Sequence, residues 1–247
     1  MRKSRSRRAW WVRTFFLGPV LLVILLFLPS LMGRSRFPIL PSQLENLDKP
    51  FLMPIQHTRI QASMLPTFAP AAQGMIAAGQ VERGKVRVGQ EVQVVGLRPE
   101  ALKQVVGRIG NGALRQRVDE GWPGDTVGIF LKGAQKEDVK RDMVLATPGS
   151  IAAHTRFTPE IHPSTEQEGG RDVPLLAPRT LQFTFRGFDV TGLVKPPPGT
   201  GTVTPGSSVV VEVELTTPIA IDKGLQFPVR EVGGDNVGNG TVVDILL

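Results

Sequence analysis

The chain has no cysteine, no tyrosine and only three histidines, and aromatic residues make up 6% of its 247 positions. Without cysteine there is neither a disulfide framework nor a thiolate metal site. His57, His154 and His162 fall outside HxxxH or HExxH spacing, so no metal and no cofactor are expected. No Ser-His-Asp or paired-carboxylate pattern stands out either, and a non-enzymatic role is expected. The body also lacks a basic excess. The formal net charge is +7, yet residues 1–36 hold eight basic residues (Arg2, Lys3, Arg5, Arg7, Arg8, Arg13, Arg34, Arg36) and no acid. Taking those 8 from the chain's 29 leaves 21 basic against 22 acidic residues, a net of −1. A polyanion-binding body normally shows a basic surface excess. This one has none overall.

One stretch lacks charge altogether. Thr14 to Gly33 is 20 residues long, with the core FFLGPVLLVILLFLPSLM. A helix of that length is about enough to cross a ~30 Å hydrocarbon layer. Trp10 and Trp11 sit where indole rings favour the interface. The reading adopted is a basic tail over 1–13, a retained single-pass transmembrane helix over 14–33 and a linker over 34–49. Two other readings fit part of the pattern. A cleaved signal peptide suits the basic start, but Ser30-Leu31-Met32-Gly33 is a poor cleavage site. An organellar presequence suits the Arg- and Ser-rich, acid-free first 13 residues.

Beyond residue 49 the pattern changes to short strands. Leu181, Phe183 and Phe185 alternate with Gln182, Thr184 and Arg186, the period of a half-buried strand. Val209, Val211, Val213 and Leu215 do the same against Glu212 and Glu214. Gly79 to Gly96 (GQVERGKVRVGQEVQVVG) reads as a β-hairpin, with Val86 and Val88 on one arm, Gly89-Gln90 at the turn, and Val92 and Val94 on the other. The same run contains GxxxxGK followed by Val. A P-loop needs Ser or Thr there and a helix after it, so no nucleotide site is expected.

Read together, the words of these strands are more specific than their periods. EGGR, a Pro-containing loop, QFTFR and DVTG (Glu168 to Gly192) resemble the third domain of bacterial-type elongation factor Tu. DKPFLMPI (Asp48 to Ile55), the Gly79–Gly96 run and GDTVGIFLKG (from Gly124) resemble its second domain. IAAHTRF (Ile151 to Phe157) and PIAIDKGLQFPVRE (Pro218 to Glu231) continue the likeness to the end of the chain. The resemblance implies an all-β fold of two consecutive β-barrels, 50–149 and 150–247, behind the transmembrane helix. QKED in the run after Gly133 resembles the cyanobacterial and plastid branch. A plastid membrane, thylakoid or inner envelope, is therefore the expected location, with mitochondrial or bacterial inner membrane as alternatives.

The departures bear on function. The family begins with a GTPase domain, whereas here a membrane segment precedes the barrels. No NKxD motif occurs, and DVTG falls in a barrel strand, so no GTP binding is expected. In the family the second domain holds the aminoacylated end of tRNA with acidic residues, an aromatic and an asparagine. Aligned on MPI and on GDTVG, those positions are Gln56, His57, Arg59, Gly112 and Thr126 here, and the resemblance implies that acceptor-end recognition is lost. In the third domain Glu168, Gly169, Gly170, Arg171, Gln182 and Glu231 are candidate remnants of an RNA- or partner-binding site. The family's REGGRTVGAG is REVGGDNVGNG, with Asp235-Asn236 where an arginine would sit. Two functions are carried forward. One is a membrane-tethered, GTPase-less binding or scaffold subunit that contacts other protein subunits. The alternative is a translation-related factor that keeps tRNA or ribosome binding through the second barrel.

Overall fold

The computed structural model describes residues 45–61, 74–111, 116–165, 178–195 and 207–246, with only the backbone at 60 and 61. The basic tail, the 14–33 helix and most of the 34–49 linker lie outside the described residues. So do Gly112, Glu168, Gly169, Gly170 and Arg171. Among the described residues no helix is long and apolar enough to cross a membrane. What is described is all-β and falls within one compact unit, Pro41–Leu247.

The first ten strands are β1 (Leu52–Pro54), β2 (His57–Gln61), β3 (Gly74–Gln80), β4 (Val86–Arg87), β5 (Glu91–Val95), β6 (Leu102–Asn111), β7 (Arg117–Val118), β8 (Glu120–Gly121), β9 (Thr126–Lys132) and β10 (Val144–Ala146). Their pairing runs β1-β10-β5-β6-β9-β3-β2. Because β1 and β2 are separated only by Ile55 and Gln56, the two ends of this path meet in one bent stretch, and the sheet wraps round an aliphatic core. Met53, Ile55, Met75, Val92, Ile129, Leu131 and Leu145 are buried in it, with Phe51 as its one buried ring.

The second barrel is built from β11 (Ala152–Pro163), β12 (Arg179–Phe185), β13 (Phe188–Lys195), β14 (Val209–Val210), β15 (Glu212–Ile221), β16 (Gln226–Glu231) and β17 (Asn236–Ile245). Pairing of β11 with both β15 and β17 closes a ring of six, β11-β15-β13-β12-β16-β17. Its centre is aromatic. Phe157, Phe183, Phe185 and Phe227 are fully buried, with centroids 4.8–6.4 Å apart and mostly edge-to-face, the arrangement that ring quadrupoles favour. Gly192 of DVTG has a packing reason: a Cβ there would lie 3.1 Å from the Phe183 ring and 2.9 Å from Leu215.

The alternation expected for residues 181–185 is observed, with Leu181, Phe183 and Phe185 inside. The valine face of 209–215 is also buried, although the strand breaks at Val211, whose N–H goes to the Pro159 carbonyl. The hairpin read into Gly79–Gly96 is not formed. Its first arm, β4, pairs with β8, while its second arm, β5, pairs with β6 and β10. Val86 is buried and Val88 is 45% exposed, so they do not share a face. The turn at Gly89 exists, with φ +84° and the Gln90 N–H donating to the Arg87 carbonyl. However, Gly89 itself donates to Val106, and Val88 to Asp119, which send the two arms to different neighbours. The GxxxxGK sequence accordingly runs from strand β3 into strand β4, with no helix behind it.

Candidate functional site

The two barrels are joined by a charged and an apolar contact. Arg186 and Gly187 make the tight β12–β13 turn with φ of 50° and 86°, and this aims the arginine at the first barrel. Its Nε lies 2.7 Å from Glu82, its Nη2 lies 2.8 Å from Asp222, and its Nη1 donates to the Ala220 carbonyl at 2.7 Å. Arg83 Nη1 approaches the other Asp222 oxygen at 2.6 Å. Two guanidiniums and two carboxylates thus balance. The Arg186 side chain is only 5% exposed, and a cation this buried needs such partners. At Asp222 burial pushes the carboxyl up, but the guanidiniums of Arg186 and Arg83 together hold it below its ordinary value. Beside this quartet, Leu52, Val95, Val144 and Ala146 pack against Ile151 and Ala220. Buried Gln93 donates to the Ile151 carbonyl at 2.7 Å and accepts from the Gly149 N–H at 3.1 Å. The Leu97 N–H reaches the Pro218 carbonyl.

Sequence reasoning missed this joint. Alternation sets Arg186 opposite the core face and goes no further, because a period of two reports one barrel's inside and outside and nothing of a neighbour. The one usable signal was the arginine directly before a turn glycine.

The outer face of the first barrel holds a second feature, set by register. His57 pairs Ala78, Ala78 pairs Gly128, Gly128 pairs Gly110 and Gly110 pairs Arg117, one row across β2, β3, β9, β6 and β7. The next row is Arg59, Ile76, Phe130 and Arg108, with the Arg108 guanidinium 5.5 Å over the Phe130 ring. On the other side of the small residues stand Gln80 and Thr126, also paired.

Residues 74–146 match the family model of elongation factor Tu domain 2, and residues 150–246 match that of the elongation factor Tu C-terminal domain. The chain carries an elongation factor Tu-like pair of C-terminal domains.

In this elongation factor Tu-like pair, the positions aligned with the acceptor-end pocket are all exposed where they are described. Gln56 and His57 lead into β2, Arg59 follows two residues on, and Thr126 opens β9. The structure brings His57, Arg59 and Thr126 onto one face. Gln56 places its N–H on the Ala78 carbonyl beside them. None of these side chains is a carboxylate.

Of the six candidate remnants in the second barrel, Gln182 and Glu231 are described. Gln182 is half-buried on β12, opposite Arg230 of β16 and Thr191 of β13. Glu231 stands next to it and accepts from Arg179 Nη2 at 2.8 Å. That pair gives Glu231 a structural occupation within the barrel wall. Where the family's arginine was expected, Asp235 offers its carbonyl to the Glu231 N–H, and Asn236 donates to Ser164 at 3.3 Å. Around Gln182 cations and carboxylates alternate, with Arg179 against Glu231 and Lys195 against Glu214 at 2.6 Å.

Among the described residues no cluster of three or more His, Asp or Glu could hold a metal ion. An open cleft of about 500 Å³ on the second barrel is lined by Glu160, His162, Gln226 and Asn239.

Proposed function

We propose that this translation-factor-like chain is a membrane-anchored, non-catalytic binding or scaffold subunit of a larger complex in an organellar membrane, acting without GTP. The observation that carries this reading is the state of the acceptor-end face. The barrel that frames it keeps a packed apolar core, whereas Gln56, His57, Arg59 and Thr126 offer neither the acids nor the aromatic and asparagine of the family pocket. A carboxylate accepts hydrogen bonds from ribose hydroxyls; an arginine cannot accept any. The inter-barrel joint supports a role in which shape is used and the old chemistry is not. The apolar 14–33 run supports the anchor.

The test is purification of the tagged chain from its native membrane in mild detergent, followed by size-exclusion chromatography and mass spectrometry. Co-elution with stoichiometric membrane subunits is the expected result. Recovery as a free monomer would overturn it, as would salt-dependent binding of aminoacyl-tRNA that requires the aminoacyl end. The latter would return the chain to translation.

A further inference from the structure

The geometry points to the outer face of the first barrel as a docking trough for a short, extended, acidic peptide segment of a partner protein, an inference that rests on the binding role proposed above. The floor of the trough is the row Ala78, Gly128 and Gly110, which has almost no side chain. The row Arg59, Ile76, Phe130 and Arg108 raises one bank, and Gln80 and Thr126 raise the other. His57 and Arg117 stand at its two ends, both exposed. Lys132, also exposed, lies two residues beyond Phe130 on the same face. No carboxylate stands on these rows among the described residues.

Among the described residues no side chain crowds the floor glycines. Among the described residues a Cβ on Gly110 would find nothing nearer than 3.8 Å, and one on Gly128 would meet a methyl of Ile76 at 3.4 Å. Neither has a positive φ. Glycine inside a strand weakens it, and often marks a place where another backbone comes close. Gly192, by contrast, is walled in by Phe183 and Leu215.

Size and charge select the occupant. The floor row crosses five strands, and spacings of ~4.8 Å make it roughly 19 Å long, the span of about six extended residues at ~3.3 Å each. One extended chain fits that width and length better than a nucleic-acid duplex or a bilayer surface. The exposed cations Arg59, Arg117 and Lys132 around the trough, with half-buried Ile76 and the Phe130 ring beneath, suit carboxylates alternating with apolar side chains. Residues 50–149 carry 13 basic and 9 acidic side chains, which adds the same sign at longer range.

The experiment uses the full chain in detergent and a fluorescein-labelled peptide of about eight residues, long enough to span the trough, alternating Glu and Val, read by anisotropy. The Glu peptide is expected to bind about tenfold more tightly than its Gln counterpart and to weaken as salt is raised. Gly110→Val fills the floor with a residue that strands favour, so its melting temperature should hold or rise while peptide affinity falls about tenfold. Gly128→Ala is the milder second variant, and Arg117→Gln should cost about threefold. Equal binding of the Gln peptide, full affinity in Gly110→Val, or displacement of the peptide by single-stranded RNA or phosphatidylglycerol vesicles at lower concentration would each overturn the inference. The two readings fail separately. Loss of every native partner in the unmutated chain sinks the scaffold role, whereas unchanged co-purification of Gly110→Val sinks only the trough.

Discussion

The two barrels share an ancestry of pattern, yet they are stabilised and charged in opposite ways. The second is closed by ladder pairing all round and filled by four phenylalanines. The first is closed by a bent strand shared between two ladders and filled by aliphatic side chains around a single ring. Phe130 is instead turned outward beneath Arg108. Residues 50–149 hold 13 basic and 9 acidic side chains, while residues 150–247 hold 7 and 11. A net of +4 faces a net of −4. The difference teaches that the near-neutral total of the body conceals two surfaces with opposite preferences, and that an RNA-binding role through the second barrel works against its own charge.

The sharpest way to break the comparison is through the cores. Phe183→Ala should cost about 3–5 kcal/mol, because the ring touches three others and a cavity is left. Denaturant titration followed by near-ultraviolet signal measures it, and a loss under 1 kcal/mol, roughly the scale of a surface change, would mean the aromatic cluster is not what holds the second barrel. Next comes the joint. Arg186→Met leaves Asp222 and Glu82 short of a partner, and breaking a buried pair costs about 3–5 kcal/mol, with about a third taken off for the exposure of Glu82. Calorimetry should show one unfolding transition splitting in two, since these ion pairs bridge the barrels. A single sharp transition in the variant would show that the apolar packing suffices.

Acid sharpens the same point with a smaller effect. Asp222 is held below its ordinary value in the folded chain, so it binds its proton less readily than in the unfolded chain. The stability this gives is complete above the unfolded carboxylate value of ~3.9 and is lost as pH falls through the lower folded value. Thermal midpoints taken from pH 6 down to roughly pH 2.5 should fall more steeply for the parent than for Asp222→Asn. Parallel curves would exclude Asp222 as the titrating group. The smallest effect belongs to the wall of the second barrel. Arg179→Gln removes a partly exposed pair with Glu231 and should cost no more than about 1 kcal/mol in a urea titration.

Local facts were legible in the sequence and relational ones were not. The alternation of Leu181, Phe183 and Phe185 identifies a strand and its inner face because side-chain direction depends only on the strand itself. The valines at 86, 88, 92 and 94 alternate equally well, yet strand pairing is decided by distant residues. There, Glu120 and Val106 win over the adjacent arm. Arg186 reads only as opposite the core face until a second barrel covers it. The ordered words of the two domains carried family membership where period could not. The trough was invisible for a related reason: Ala78, Gly128 and Gly110 come from three separated strands and become a row only through register.

The bent strand that closes the first barrel has a mechanical corollary. Just upstream, the Asn46 carbonyl accepts from Gly84, Phe51 exchanges bonds with Thr147, and Leu52 exchanges bonds with Arg83 and Glu82. β1 then runs antiparallel along β10. Force arriving along residues 45–51 would load these bonds side by side, in shear, so that they yield together and not one at a time like a zip. A body hung from its leading end by such a seam tolerates tugging well, and single-molecule stretching from that end should require more force than pulling from the end of β2.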